Sequence, residues 1–453
     1  MRIVIAGSGK LGSMLARTIA AEYHDVTVID EDQVALDRVE DLDVLPVKGN
    51  AVSINALEEA DIKHADILIA TMRSDESNML CCIISKRMGA KYTIARIRDP
   101  EYLKSMSFVT QELGIDYVAN PERATAREIS RMLRFPFTAS GVETFARGLV
   151  EMVEMRVNGD EPFVGIPLSE YFRNRTANLK VLFCGIMRQG KAIIPKGDFI
   201  IKEGDSIFVC ADYATIKAFF RSLGKNTKAA KDAMIVGGSR IGYYLCSILD
   251  EAGVKTKLIE QNEEKARHLD ELLRSTTVIC GDGMDQEMLL SEGLKNTDAF
   301  VVLTDRDEEN LMAGLYATHS SNARIIVKSN RMNYSQLLTA MGLESIISPS
   351  QIACNIMLRA VRTRVAGEKS GVERMYQIMG GQAEAMEFIV KEGESYLGKT
   401  LTDLNVDPDT LVAVIVRGNR VIVPFGGDVI EAGDRVVIMT KRQGVASLGD
   451  VLK

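Results

Sequence analysis

The chain has 453 residues, which is too many for one ordinary core and suggests about three domains. Its 46% hydrophobic and 26% charged residues are typical of a folded protein. The net charge of −7 argues against a nucleic-acid-binding surface. Apolar runs fall short of the ~18 residues that a membrane span requires. The seven scattered cysteines form no CxxC pair, so we expect reduced thiols and no metal site.

The first 138 residues alternate apolar strands with amphipathic helices. Near-continuous, β-branched runs, typical of buried parallel strands, occupy 3–6, 26–30, 67–71 and 92–97. A helix led by a proline is predicted over 120–135. The alternation predicts a Rossmann-like, doubly wound parallel sheet of the α/β class. Because a strand begins at once, we expect no signal peptide.

The first strand runs directly into the turn GSGKLG and then into a helix, the context in which such a turn binds a dinucleotide. Gly7 allows the tight turn, Gly9 lets a pyrophosphate approach the backbone, and Gly12 lets helix and strand pack closely. Asp30 closes the second strand, where an acid accepts hydrogen bonds from ribose hydroxyls and disfavours a 2′-phosphate. NAD(H) or an adenosine nucleotide is therefore favoured over NADP. The alternative is a turn kept only for packing.

Residues 139–225 follow another pattern. Val153, Met155 and Val157 alternate with Glu154 and Arg156, as on a half-buried strand. Short strands with Gly-containing turns follow, which predicts a small α+β domain. The polar, Lys-rich segment 225–232 is then predicted to be a linker.

From residue 232 the chain repeats itself. The stretch ADILIATMRSDESNML aligns without gaps with TDAFVVLTDRDEENLM, Asp30 aligns with Glu260, and FVGIPLSEY resembles YLGKTLTDL. Collinear matches of this extent indicate a duplication. The sequence therefore predicts four domains in the order A-B-A′-B′, with bounds 1–138, 139–225, 232–366 and 371–453.

The second Gly-rich turn, GGSRIG, departs from the first. Ser239 stands where Gly9 stands in the first copy, and its side chain would crowd a pyrophosphate, although a small hydroxyl can also donate a hydrogen bond. Glu260 still offers an acceptor for ribose. Two interpretations stay open for this cleft: it is selective for a different nucleotide, or it is an empty copy retained for assembly.

Two classes of function fit a dinucleotide cleft. An oxidoreductase needs a substrate pocket with an acid or base, and the four histidines lie in polar stretches that give no His/Asp or Tyr/Lys arrangement. Asp75 and Glu76 follow a strand and are explained as well by helix capping as by catalysis. A regulator needs only a nucleotide that biases a conformation. We favour a regulator without catalytic residues; an NAD(P)-dependent oxidoreductase is the alternative.

The motifs IVIAGSGKLG, VID, GN, ILIATMRSDESNM and IARIRDPEY together resemble the RCK (KTN) nucleotide-binding domain, and the small domain resembles its C-terminal companion. The tandem order over nearly the whole chain resembles the RCK subunits of bacterial Trk-type potassium uptake systems. This resemblance implies a cytoplasmic, peripheral protein on the inner face of the cell membrane. It implies a ring of four chains that binds NAD(H), ATP or ADP and gates an integral membrane potassium-transporter subunit of the TrkH/TrkG type.

The resemblance also implies the residues of both clefts. In the first they are Gly7, Ser8, Gly9, Lys10, Leu11, Gly12, Asp30, Asn50, Ala51, Met72, Asp75, Asn78, Arg96 and Arg98. In the second they are Gly237, Gly238, Ser239, Arg240, Ile241, Gly242, Glu260, Asp282, Thr304, Asp307, Asn310 and Lys328. Met72 stands where the family usually has a threonine, which the second cleft keeps as Thr304. Lys328 keeps the charge of Arg96 but not its bidentate geometry.

Lys10 and Arg240 occupy the same place in the two turns. A basic residue there can reach a phosphate in its own cleft or in a neighbouring one, and we hypothesise the second; the alternative is a solvated cation. We also expect neighbouring nucleotide-binding domains to pack through the helix region 120–135 and its counterpart 348–361.

Overall fold

The structure is a computed structural model that describes residues 1–22, 24–105, 107–134, 142–173, 180–225, 229–330, 343, 345–367, 372–442, 445 and 447–452. The chain divides into two compact units. Unit 1 combines Met1–Ser130 with Ala230–Val361, and unit 2 combines Arg131–Ala229 with Arg362–Lys453. Each unit therefore contains one domain from each half of the chain.

The first half contributes a six-stranded parallel sheet to unit 1, in the order β3-β2-β1-β4-β5-β6. The strands are β1 (Arg2–Ala6), β2 (Asp25–Asp30), β3 (Leu45–Lys48), β4 (Ile67–Ala70), β5 (Tyr92–Arg96) and β6 (Tyr117–Ala119). The helices are α1 (Lys10–Ala21), α2 (Gln33–Leu36), α3 (Ile54–Glu59), α4 (Asp75–Met88), α5 (Pro100–Lys104) and α6 (Pro121–Arg134). The strand order reverses between β1 and β4, and the carboxyl ends of such strands flank a ligand crevice.

The second half repeats this sheet in unit 1, in the order β14-β13-β12-β15-β16-β17. The strands are β12 (Asp232–Val236), β13 (Lys255–Glu260), β14 (Thr277–Cys280), β15 (Ala299–Val302), β16 (Arg324–Lys328) and β17 (Ile346–Ile347). The helices are α9 (Arg240–Glu251), α10 (Glu263–Leu272), α11 (Gln286–Ser291), α12 (Asp307–Ser320) and α13 (Pro349–Gly367). The predicted pair of doubly wound parallel sheets is confirmed.

The burial of the central strands explains this architecture. Every residue of β4 and of β15 is buried, as expected for strands covered by helices on both faces. Helix α1 buries Leu11, Leu15 and Ile19, which are spaced four apart and form one apolar stripe.

Unit 2 contains two five-stranded antiparallel sheets, in the orders β10-β9-β11-β8-β7 and β18-β19-β22-β20-β21. The first has β7 (Val142–Phe145), β8 (Val150–Arg156), β9 (Leu182–Arg188), β10 (Lys191–Ile193) and β11 (Ser206–Ala211), with helices α7 (Leu168–Arg173) and α8 (Tyr213–Ser222). The second has β18 (Val372–Ile378), β19 (Ala383–Ile389), β20 (Thr410–Arg417), β21 (Arg420–Ile422) and β22 (Arg435–Thr440). The predicted small α+β domains are confirmed as a class.

The two sheets of unit 2 share a core. The rings of Phe145 and Tyr376, one from each domain, meet edge to face with centroids 4.8 Å apart. The Tyr376 hydroxyl donates to the carbonyl of Thr144 at 2.8 Å, and the fully buried Glu387 accepts from the Ala146 N–H at 3.0 Å. The B and B′ domains are therefore packed together within the chain.

Some predicted bounds fall on residues outside the described ranges. The helix predicted over 120–135 is α6, of which Phe135 lies outside the described residues. The predicted junctions at 138–139 and 371 also lie outside them, as do residues 226–228 of the linker. Within the described residues, no helix has both the length and the apolar character to cross a membrane.

Candidate functional site

The turn between β1 and α1 separates the roles of its three glycines. Gly7 has φ of +100° and donates its N–H to the carbonyl of Ile29 at 2.8 Å. A Cβ at Gly12 would lie 1.8 Å from the Gly7 carbonyl oxygen, so the fold itself requires both glycines. A Cβ at Gly9 would meet nothing within 4 Å. Packing within the chain therefore does not explain Gly9, beside which the turn leaves open space.

Gly9 is also the N-cap of α1, and no side chain caps this helix. Its backbone is extended, with φ −63° and ψ −172°, and the position is exposed. The first N–H groups of a helix have no intrahelical acceptor, and with the positive end of the helix dipole they attract phosphate. Lys10 begins the helix, while the Leu11 side chain is buried, so Leu11 offers only its backbone N–H to a ligand.

Asp30 ends β2 directly beside the turn. Its carboxylate accepts the Ser8 N–H at 2.6 Å and the Asp32 N–H at 2.9 Å, which fixes its orientation. No cation in the described part of the chain pairs with it, so each oxygen keeps a free lone pair for a hydroxyl donor. The end of β3 lies next to it, because the Gly49 N–H donates to the Asp30 carbonyl at 2.9 Å.

Asn50 and Ala51 form the turn after β3. The exposed Asn50 side chain accepts the Val52 N–H at 2.9 Å, whereas Ala51 is buried. The turn therefore lies beside the acid of the first cleft.

The β4 side of the cleft is held by two buried polar residues. Thr71, which the sequence analysis missed, places its hydroxyl 3.0 Å from the Gly7 carbonyl oxygen and 3.2 Å from that of Ala6. The fully buried Asn78 accepts the Met72 N–H at 2.8 Å and donates to the carbonyls of Met72 and Arg96 at 3.1 and 2.9 Å. Its amide is fully engaged with the backbone, so Asn78 supports the edge of the cleft.

Asp75 likewise positions the segment after β5. It is the first residue of α4, it is buried, and it accepts the N–H groups of Arg98 and Asp99, each at 2.9 Å. The Arg98 side chain also donates to it at 3.3 Å. The neighbouring Glu76 accepts from Ser74 and Tyr102, and these two hydrogen bonds lower its pKa to about 2.

Arg96 places a cation at the end of β5. It lies 3.8 Å from the Glu122 carboxylate, which is too far for a hydrogen bond. Burial lowers the pKa of Arg96 and raises that of Glu122, despite their mutual attraction. Arg96 Nε and one Glu122 oxygen have no hydrogen-bond partner among the described residues. The cluster therefore has unused hydrogen-bonding capacity at the carboxyl end of β5, the edge of the sheet on which the first Gly-rich turn also lies.

Each of the two Rossmann-like domains of unit 1 extends a basic side chain to the other domain. Lys10 Nζ donates to the carbonyl of Asn330, after β16, at 3.2 Å, and Arg240 lies 3.4 Å from the Asp99 carboxylate, after β5. The Tyr244 hydroxyl donates to the Arg98 carbonyl at 2.9 Å and lies 3.2 Å from the amide of Asn120. Each basic residue thus lies against the other domain, and Asn120 brings the start of the 120–135 region to this contact.

The second cleft repeats the backbone of the first. Gly237 has φ of +102°, and a Cβ at Gly242 would lie 2.5 Å from its carbonyl oxygen. Glu260 accepts the N–H groups of Gly238 at 2.9 Å and Asn262 at 3.0 Å. The other predicted residues hold loops: Asp282 accepts from the Met284 N–H at 2.9 Å, Asp307 from the Asn330 N–H at 2.8 Å, and Asn310 from the Thr304 N–H at 3.1 Å.

Several side chains of the second cleft pair with one another. Ser239 caps α9 by accepting the Gly242 N–H at 3.4 Å; Ile241 is buried. Lys265, which the sequence analysis missed, lies 2.7 Å from Glu260, and the nearly buried Lys328 lies 3.0 Å from Asp305. Burial pushes the pKa of Glu260 upward, but Lys265 and the backbone donors outweigh it and lower the pKa overall.

The chain is similar to known proteins over its full length. The TrkA-N domain family matches residues 3–121 and 233–349, and the TrkA-C domain family matches 152–224 and 385–453. A "Trk system potassium uptake protein TrkA homolog" of Archaeoglobus fulgidus is 30% identical over 456 residues, covering 100% of both chains. The "Trk system potassium uptake protein TrkA" of Vibrio alginolyticus is 32% identical, over 97% of this chain and 95% of the relative.

Among solved structures, a "GsuK channel bound to NAD" superposes with a TM-score of 0.63 at 19% identity, over 97% of this chain and 76% of that one. This likeness and a similar one to the "GsuK RCK domain", with a TM-score of 0.62 at 18% identity over 97% of this chain and 92% of that one, confirm the RCK fold. With both halves matched by the TrkA-N and TrkA-C domains in tandem, the chain belongs to the TrkA family.

Proposed function

We propose that this chain is a peripheral, cytoplasmic regulatory subunit of a Trk/Ktr-type potassium uptake transporter. The first cleft binds NAD(H), ATP or ADP, and the bound nucleotide controls an integral membrane potassium-conducting subunit of the TrkH/TrkG type. The names of the relatives support the transport system. Two solved structures of the same fold, one bound to NAD and one to ADP, support the class of ligand.

The observation that carries the proposal is the uncapped N-terminus of α1 with the open space at Gly9. We assign three groups to the ligand: the α1 amides to a pyrophosphate, Asp30 to ribose hydroxyls, and Arg96 to a further negative charge. We propose that Asn50, Ala51 and Met72 line the adenine side and that Thr71, Asp75 and Asn78 hold these loops in place.

Regulation follows from the contact between the two domains. Arg240 of the second domain lies beside Asp99 of the first and contributes to the electrostatic field at Arg96 and Glu122. A triphosphate attracts Arg240 away from Asp99, whereas a ligand with fewer charges leaves this pair intact. Different nucleotides therefore favour different arrangements of the two domains, which is the differential binding that a conformational switch requires.

We further propose four domains at the predicted bounds, inside which the TrkA-N and TrkA-C matches fall. The resemblance to ring-forming RCK proteins supports a ring of four chains, to which each chain contributes both Rossmann-like domains.

The experiment is potassium uptake by vesicles that contain the membrane subunit, with and without this chain and with NADH, ATP, ADP or no nucleotide. We expect the wild-type chain to make uptake depend on the nucleotide. We expect Gly9→Ser to associate with the vesicles but lose that dependence, because a side chain then occupies the path of the pyrophosphate. A rate of uptake that stays the same with and without the chain and each nucleotide would contradict the proposal. Steady oxidation of NADH by the chain with a carbonyl substrate would also contradict it.

A further inference from the structure

The second cleft differs from the first at three structurally equivalent positions. Ser239, Lys265 and Asp305 stand where the first cleft has Gly9, Ala35 and Arg73. Each of the three side chains contacts the second-cleft counterpart of a group that a nucleotide would use in the first cleft. The substitutions therefore act on one property, the availability of the cleft to a ligand.

The first contact occupies the helix N-terminus. Ser239 has nearly the same backbone conformation as Gly9, with φ −64° and ψ 171°, but its hydroxyl accepts the Gly242 N–H. A phosphate at the N-terminus of α9 has to displace this hydroxyl before it can accept from that amide. At α1 no side chain has to leave.

The second contact pairs Glu260, the acid of the second cleft, with a cation. Lys265, on the first turn of α10, lies 2.7 Å from Glu260 Oε2, the same oxygen that accepts the Gly238 N–H. Its counterpart in the first cleft is Ala35, so Asp30 keeps its free lone pairs. Ribose hydroxyls therefore compete with an ammonium group in the second cleft only.

The third contact pairs Lys328, the cation at the end of β16, with a carboxylate. Lys328 is 8% exposed, and its ammonium pairs with Asp305 at 3.0 Å. Its counterpart Arg96 has only a 3.8 Å approach to Glu122 and a buried Nε without a partner among the described residues. A nucleotide phosphate must therefore compete with a close ion pair in the second cleft, whereas the corresponding 3.8 Å approach in the first cleft is longer than a hydrogen bond.

We infer that the second cleft is closed to dinucleotides and nucleoside phosphates by its own side chains, so that each chain binds nucleotide in the first cleft only. This inference rests on the proposed function of the first cleft. Each contact that a ligand must displace costs about threefold to tenfold in affinity, least at the exposed Asp305. With three such contacts, we expect NADH to bind the second cleft at least about 30-fold more weakly than the first. The second Rossmann-like domain then has the same unliganded cleft whichever nucleotide the first domain binds.

The test is calorimetric titration of the full chain with NADH, repeated with ADP. We expect one equivalent per wild-type chain, and binding at least about tenfold weaker for Gly9→Ser, a variant that the open space at Gly9 allows to fold. The triple variant Ser239→Gly, Lys265→Ala, Asp305→Arg gives the second cleft the residues of the first, and we expect it to bind a second equivalent. The double variant Ser239→Gly, Lys265→Ala keeps the Asp305 pair and serves if the triple variant does not fold.

Arg267→Ala is the matched control, because it removes a cation of α10 that pairs with Glu263 on the exposed face. We expect it to bind as the wild type does. Two equivalents per wild-type chain would overturn the inference while leaving the proposed function intact. So would an unchanged affinity of Gly9→Ser for NADH, or no second equivalent in a folded opened variant. No binding of either nucleotide by the wild type would instead overturn the proposed function.

Discussion

At the scale of single residues, the two equivalent basic side chains have different surroundings. Arg240 lies beside a carboxylate at the edge of the first cleft, whereas Lys10 contacts a backbone carbonyl at the edge of the second. If only the first cleft binds nucleotide, Arg240 is the basic residue that a terminal phosphate meets. The hypothesis that these residues serve a neighbouring cleft therefore gives Arg240 a contact with a phosphate and gives Lys10 none.

We expect Arg240→Ala to weaken ATP binding about tenfold, because a charge-assisted contact with the outer phosphate is lost. NADH, which has no third phosphate, should lose less. Lys10→Ala should change ATP affinity by less than about threefold. Calorimetric titrations with ATP and NADH measure both effects, and equal losses in the two variants would contradict this assignment.

At the scale of elements, the strand–turn–helix unit separates folding from binding. The fold excludes a side chain at Gly12 and tolerates one at Gly9. The same unit is used twice, yet only the first copy leaves its helix without a side-chain cap.

We expect Gly12→Ala to destabilise the chain by about 3 kcal/mol or more, because the added methyl group overlaps the Gly7 carbonyl and forces α1 away from β1. Gly9→Ala should leave the melting temperature nearly unchanged but weaken NADH binding at least tenfold, an order of magnitude for a displaced phosphate contact. Thermal melting and titration of both variants give the comparison. A stable Gly12→Ala chain would show that the turn can rearrange.

Strand β8 contains a second element-scale feature, the buried Glu151. Burial raises its pKa to about 7, although the Arg134 guanidinium, 2.8 Å away, opposes this shift. Since the folded-state pKa lies above the usual carboxyl value, the fold favours the neutral acid. This stability is complete below about pH 4.5 and is lost as the pH rises through 7.

We therefore expect the melting temperature of the wild type to fall more between pH 5.5 and 8 than that of Glu151→Gln, which cannot ionise. Glu154→Gln on the same strand is the control and should follow the wild type. Differential scanning calorimetry across this range decides the matter, and parallel curves for wild type and Glu151→Gln would exclude Glu151 as the titrating group.

At the scale of the whole molecule, the duplication brings like domains together. Unit 1 contains both Rossmann-like domains and unit 2 both small domains. In unit 1 the Tyr244 hydroxyl connects the domains through its bonds to Arg98 and Asn120, and burial raises its pKa to about 12.

We expect Tyr244→Phe to destabilise unit 1 by about 1–2 kcal/mol, because the buried amide of Asn120 and the Arg98 carbonyl lose a partner. Tyr243→Phe, on the adjacent residue, is the control and should have little effect. Hydrogen exchange of the peptides around Asn120 and Tyr244 measures the opening of this contact; unchanged protection in Tyr244→Phe would show that it does not hold the domains together.

The sequence predicted the sheets and turns because these depend on local patterns. Buried β-branched runs and the glycines of GSGKLG carry their own signal. The short strands β3 and β6 were missed, since Leu45–Lys48 has mostly exposed residues and Tyr117–Ala119 is only three residues long.

The sequence did not predict which residues of the candidate site face the cleft and which hold its loops in place. Asp75 and Asn78 match a binding motif, yet their side chains hold backbone loops, and only three-dimensional contacts separate these roles. Aligning the two halves places Lys265 opposite Ala35, so a signal for the second cleft existed. Its meaning required the distance to Glu260.

Covalent linkage of the two Rossmann-like domains has a genetic consequence. In a pair built from two identical chains, every substitution occurs on both sides of the contact, so a change that suits one side must also suit the other. Here Lys10 and Arg240 are separate codons, and each meets a different neighbour. One gene can therefore encode a sensing copy and a silent copy in fixed one-to-one ratio, with no need for the cell to sort two kinds of subunit.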